Sequence, residues 1–294
     1  TSTSKNWKKS TTTWLVALFV LCGVSDVFGQ VANYTFSESA GTYTSAAGTT
    51  VHASGWDDAV SANTIPLGFT FLFNGTNYTT CSIATNGFLT FGGTVAGTTE
   101  FTPISSGTGY AGAISAIGYD LISNASTITY TTTGTAPNRT FIAQWNNANR
   151  YSSGVIAGNF NFQIRLNETT NVINIVYGSC APTSNTIYPV EVGLRGASNT
   201  DYNNRSLTTS VIWDGATVAG GANNATCRTR SNAYPNNGRT FTWTPPPAPY
   251  PAAQPLVRQR TVRRCPARIP RSRPRAGASW RRCRPRAGPG RRRR

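Results

Sequence analysis

The chain has 294 residues and a formal net charge of +17. That charge is local: residues 248–294 hold sixteen arginines and no acid, whereas residues 31–247 hold eight arginines, no lysine and nine acids. A body so close to neutral lacks the basic face that phosphate neutralisation requires, which argues against a nucleic-acid partner for any folded part.

The first 29 residues read as a secretory signal peptide. Lys5, Lys8 and Lys9 precede an apolar run, "WLVALFVLCGV", over residues 14–24, and "VFGQ" offers a cut after Gly29. Eleven apolar residues form a signal helix but fall short of the roughly 20 needed to cross a bilayer, so no membrane span is expected after cleavage. Export to the cell surface or the medium implies an oxidising setting. Of the three body cysteines, Cys81 lies in strand-like text in phase with Ile83, and Cys180 and Cys227 sit in loop-like text. The expectation is a Cys180–Cys227 bridge with Cys81 buried as a thiol.

Residues 30–244 are all-β text. "LGFTFLFNG" alternates Phe69, Phe71 and Phe73 on one face, and Asn74-Gly75 supplies a hairpin turn. A second turn at Asn86-Gly87 completes a three-strand meander. "RTFIAQWNN" is a further strand. "NFNFQIRLNETTNVINIVYG" then points Phe160, Phe162, Ile164 and Leu166 inward, turns around residues 168–171 with Glu168 expected at a solvated hairpin tip, and returns over 172–177. In "YPVEVGLRG", Val190, Val192 and Leu194 face the core, with Glu191 and Arg195 on a face expected to be exposed. "RTFTWTP" closes the series. About a dozen short strands and no capped amphipathic helix predict a single two-sheet antiparallel β-sandwich, jelly-roll-like in size.

"GFTFLFNGTNYTTCSIATNGFLTFGG", "TTGTAPNRTFIAQWNN" and "NFQIRLNETTNVINIVYG" together resemble the N-terminal β-sandwich domain of large secreted bacterial surface proteins. Those proteins continue into fibronectin type III repeats and a type IX secretion sorting domain. The same order of motifs is similar, more loosely, to nidogen-like extracellular domains. The resemblance covers residues 33–244 and implies a non-catalytic module of an adhesive or surface protein. Its matching residues are turns and core strands, and so they name no ligand.

The residues that carry chemistry are few. His52 is the one histidine, and a lone histidine in polar text is solvated more often than catalytic. "WDDAV" and "GYDLI" place Asp57, Asp58 and Asp120 as weak candidate ligands for calcium, since hard cations collect carboxylate oxygens. Neither stretch has the spacing of a calcium loop, and loop acids more often accept from nearby backbone amides. No other cofactor is expected. Trp56, Tyr151, Trp213 and Tyr234 are candidates to stack on sugar rings; core packing is the competing account for each.

Residues 245–257 form a proline-rich linker. Residues 258–294 are an arginine- and proline-rich tail expected to be disordered, having few apolar residues to bury. The tail is built almost wholly from residues with GC-rich codons and stands where the resemblance leads one to expect a fibronectin repeat, as a shifted reading frame would produce. The chain therefore reads as an exported binding or adhesion module whose partner is an extracellular glycan or surface protein. The alternative is a carbohydrate-binding accessory domain of a truncated extracellular hydrolase.

Overall fold

The computed structural model describes residues 30–151 and 158–247. The expected signal peptide, most of the linker and the tail lie outside the described residues. The described chain forms two antiparallel sheets of eight strands each around one main core, the β-sandwich expected from its period-2 text.

The first sheet runs β1 (Thr35–Ser39), β16 (Thr240–Thr244), β11 (Ile173–Tyr177), β10 (Phe160–Asn167), β9 (Thr140–Arg150), β8 (Ile128–Thr133) and β2 (Thr49–His52), with β7 (Leu121–Ser123) on the far end of β9. The second runs β14 (Val218–Ala219), β13 (Tyr202–Ser206), β12 (Tyr188–Arg195), β6 (Tyr110–Gly118), β5 (Phe88–Gly93), β4 (Thr76–Ala84) and β3 (Ile65–Phe73), with β15 (Cys227–Thr229) paired to β12. Phe69, Phe71 and Phe73 all point into the core, as do Phe160, Phe162, Ile164 and Leu166. Asn74 and Gly75 take φ of 50° and 75° in the turn that joins β3 to β4. These left-handed values are what a two-residue hairpin needs.

Strand β3 is not straight. Its register with β4 breaks between Pro66 and Phe71, so that Leu67, Gly68, Phe69 and Thr70 lie opposite the single residue Thr79. The bowed segment is held from the other sheet. Thr132 Oγ1 donates to Leu67 O (2.8 Å), and Arg139 Nη1 donates to Gly68 O (2.6 Å). Beyond the bow, Asn171 Oδ1 accepts from Leu72 N (2.8 Å).

Three sequence expectations are corrected. The outer face of β12 is covered: Glu191 and Arg195 are each 2% exposed. The cover is the segment before β6. Glu191 accepts from Ile104 N (2.7 Å), Ser105 N (3.3 Å) and Ser105 Oγ (2.5 Å), and burial raises its carboxyl above the usual range. The Cys180–Cys227 bridge is absent, and both are free, buried thiols like Cys81. Cys180 lies beyond β11 of the first sheet, with its Sγ 3.7 Å from Asn161 O, whereas Cys227 is fixed opposite Val190 in the second. Burial lifts both thiols to about 12. Glu168, expected at a solvated hairpin tip, instead makes a two-pronged ion pair with Arg139.

Three arginines are buried over aromatic rings. Arg150 lies 3.5 Å from the Tyr188 ring centre, Arg195 4.1 Å from Tyr110 and Arg205 3.8 Å from Phe36. The ring face supplies part of the electrostatic complement that a buried guanidinium requires.

Candidate functional site

Three loop segments converge at one place on the sandwich. One follows β2 and carries Trp56, Asp57 and Asp58. The second is the turn at Asn86 between β4 and β5. The third links β6 to β7 and carries Tyr119 and Asp120. The first segment is tethered where Gly55 N donates to Ser123 Oγ (3.1 Å) and Ser123 N donates to Trp56 O (2.9 Å).

Asn86 is the hub. It is fully buried, and its Nδ2 donates to Asp58 Oδ1 (3.2 Å) and Glu100 O (3.2 Å) while its Oδ1 accepts from Leu121 N (2.9 Å). Its backbone carbonyl accepts from Tyr119 N (3.4 Å). One amide side chain thus binds all the segments that bear the acids, and no apolar residue of that size could do so.

The result is that one carboxylate oxygen from each of Asp57, Asp58 and Asp120 lies within 4.8 Å of the others. Asp57 and Asp58 are exposed and Asp120 is half-buried. Partial burial, and then the charges of Asp58 and Asp57, push the Asp120 carboxyl above the usual carboxylate range. These oxygens suit a hard divalent cation such as calcium in kind; calcium takes six to eight oxygens, so three monodentate carboxylates supply at most half of a shell.

A raised carboxyl favours the folded state while protonated, and that contribution is lost as pH rises through its folded pKa. With divalent cations chelated, Asp120→Asn is therefore expected to raise the melting temperature at neutral pH. The gain should shrink to nothing below about pH 4, where an aspartate is protonated whether folded or not. A gain that is the same at pH 3.5 and pH 7 would show that the carboxylate cluster is not its source.

Beside the acids runs a ladder of rings. Phe101 and Tyr119 are 6.4 Å apart between centres, and Tyr119 meets Tyr188 edge-on at 5.7 Å. Phe101 is 42% exposed and Tyr151 51%. Tyr151 is joined to the acidic loop, its N–H donating to Asp120 O (2.8 Å).

The four aromatic residues singled out in the sequence divide. Tyr151 is exposed beside the acids. Trp56 precedes them in the chain, but its ring is buried in the main core. Trp213 is fully buried, donates from Nε1 to Arg228 O (2.8 Å) and stacks on Phe241, so it is a core residue and not a surface platform. Tyr234 packs against the same core and accepts from Trp213 N (3.1 Å). Sequence reasoning missed Asn86, Phe101, Tyr119 and Tyr188. Asn86 was visible only as a turn residue, and Tyr119 was adjacent to Asp120 in "GYDLI" without being singled out.

Three more of the acids are tied into structure. Asp214 pairs with Arg239, Asp201 accepts from the N–H groups of Val31 and Ala32, and Glu100 accepts from Thr102 and Ser106. His52 Nε2 lies 3.0 Å from Ile83 O.

No curated protein matches the chain, and no solved structure matches it. The model of the family described as NIDO related matches residues 33–245, which is most of the chain and nearly all of the sandwich. The chain belongs to the NIDO-related family.

Proposed function

We propose that the chain is a secreted, non-catalytic binding module of an adhesive or cell-surface protein, with an extracellular glycan or surface protein as partner. The observation that carries this reading is the ladder of partly exposed rings beside Asp57, Asp58 and Asp120, held on a rigid sandwich by the buried Asn86. Rings of this kind give contact area at little entropic cost. The structural occupations of Glu168, Glu191, Asp201, Asp214 and His52 support a non-catalytic role, because each group already holds a partner.

The finer setting belongs to the same proposal. The chain is exported through its N-terminal signal and works in a surface protein that also carries fibronectin type III repeats and a type IX sorting domain. Among the described residues no helix is long and apolar enough to cross a membrane. The folded domain takes no nucleic acid. A second reading, a carbohydrate-binding accessory domain of an extracellular hydrolase, is favoured by a cleft on β3 and β4 whose lining includes the hydroxyls of Thr70, Thr79 and Thr80.

The test is binding of the full chain to glycan arrays and to intact cell surfaces, compared with Phe101→Ser and Tyr151→Ser. Saturable binding to either target that weakens at least about tenfold in those variants supports the reading. Hydrolysis of a bound polymer would overturn the non-catalytic assignment. Salt-sensitive DNA binding that survives removal of residues 248–294 would overturn the neutral-body argument.

A further inference from the structure

The bow in β3 opens a cleft of about 750 Å³ between Thr70 of β3, Thr79 and Thr80 of β4 and the Arg139–Glu168 pair. That volume falls within the roughly 300–1,000 Å³ of small-ligand sites. A second cleft of about 350 Å³ lies on the other side of the same ion pair, lined by Asn138, Asn167 and Asn174. Arg139 and Glu168 are the wall between them.

That wall is rigid and electrically balanced. Arg139 Nε donates to Glu168 Oε2 (2.8 Å), Nη2 to Glu168 Oε1 (2.5 Å) and Nη1 to Gly68 O (2.6 Å). A guanidinium has five N–H groups, so two remain for a ligand. The hydroxyls of Thr70, Thr79 and Thr80 are engaged by no other described residue. Thr70 and Thr79 are exposed. On the far side Asn167 Nδ2 is fixed on Val172 O (2.9 Å) and Asn174 Oδ1 (2.8 Å).

We propose that these paired clefts bind an uncharged oligosaccharide, lying across the Arg139–Glu168 wall with its hydroxyls on the threonines and the spare guanidinium N–H groups. The lining selects for that chemistry. The one cation and one anion cancel, which leaves nothing to attract a charged ligand. Phe69, the one aromatic residue of the lining, is 7% exposed and lies under Arg139, so the cleft offers no open ring or deep apolar hole to anchor a peptide side chain. Two clefts around one wall suit a chain of sugars. The locked polar groups lose little freedom on binding.

This rests on the reading of the chain as a binding module and adds a second surface to it, separate from the ring ladder, with its own ligand class. The experiment is calorimetric titration of the full chain with soluble uncharged polysaccharides (a β-glucan, a xylan and a galactomannan), which give the arginine-rich tail no electrostatic purchase. Thr70→Trp and Thr79→Trp fill the cleft from exposed strand positions, and Thr80→Val removes one hydroxyl at nearly constant shape. The expected result is binding to at least one polymer that falls at least tenfold in both tryptophan variants and severalfold in Thr80→Val. Melting temperatures should be unchanged, and Val218→Ser, at an exposed position of β14 on the opposite border of the same sheet, should bind as the parent does. Binding that is unaffected in the three cleft variants overturns the site. Binding to cell surfaces with none to the polysaccharides overturns the ligand class and leaves the binding module standing. Binding to neither overturns both.

Discussion

Trp145→Ala is expected to lower stability by about 3–5 kcal/mol, among the largest effects of any single side-chain truncation in the sandwich. Trp145 is fully buried, stacks on Phe162 at 5.0 Å and is one of the largest side chains in the core. It also reaches from the first sheet to the second, where its Nε1 donates to Ala84 O and Thr85 O, both at 3.2 Å. Truncation therefore removes packing area and two capped carbonyls together. The melting temperature should fall by on the order of 10 °C, read by calorimetry at fixed pH. Trp145→Phe keeps most of the packing and leaves the carbonyls unpaired, which costs about 1–3 kcal/mol. A fall below about 1 kcal/mol for the alanine variant would show that this ring does not join the sheets.

Gly87→Ala is the second large effect, and its cause is the backbone. Gly87 has φ of +83°, where L-residues are disfavoured by about 1–2 kcal/mol. An added Cβ would also lie 2.0 Å from Ile117 O and 2.9 Å from its carbonyl carbon. These are main-chain atoms of β6, and Gly87 O accepts from Ala116 N (3.0 Å) in the same place. The turn must shift away from β6, at a total cost of about 3 kcal/mol or more. Asn86 moves with it, so the acidic cluster should loosen as stability falls. Gly97→Ala is the control: its added Cβ meets nothing within 4 Å, and its melting temperature should stay within about 1 °C of the parent. Equal effects at Gly87 and Gly97 would defeat the argument.

The sequence showed what was local. Phe69 to Phe73 and Phe160 to Leu166 alternate with period 2, and Asn74-Gly75 demands positive φ, so strands and turns were readable in short windows. What it hid was long-range. Glu191 looks like an outward residue because nothing near it in sequence shows that Ile104 and Ser105 will lie across it. Trp213 lies in loop-like text and still reaches Arg228 and Phe241 in the core. Cys180 and Cys227 share a loop-like context, but strand register assigns them to different sheets. The acids were named and their meeting was not. Asp58 and Asp120 are joined through Asn86, whose turn text gives no sign that its amide would bridge them. The β3 cleft was least visible of all, because it arises from a register break that alternation alone does not encode.

The bow has a consequence for life at high density. β3 is the border strand of its sheet, and a straight border strand offers its unpaired N–H and C=O groups to any neighbouring copy. Here Leu67 O, Gly68 O and Leu72 N are already taken by Thr132, Arg139 and Asn171, and the chain curves between them. Molecules crowded together therefore find no flat ladder along β3 to zip onto, and this side of the sandwich resists edge-to-edge aggregation.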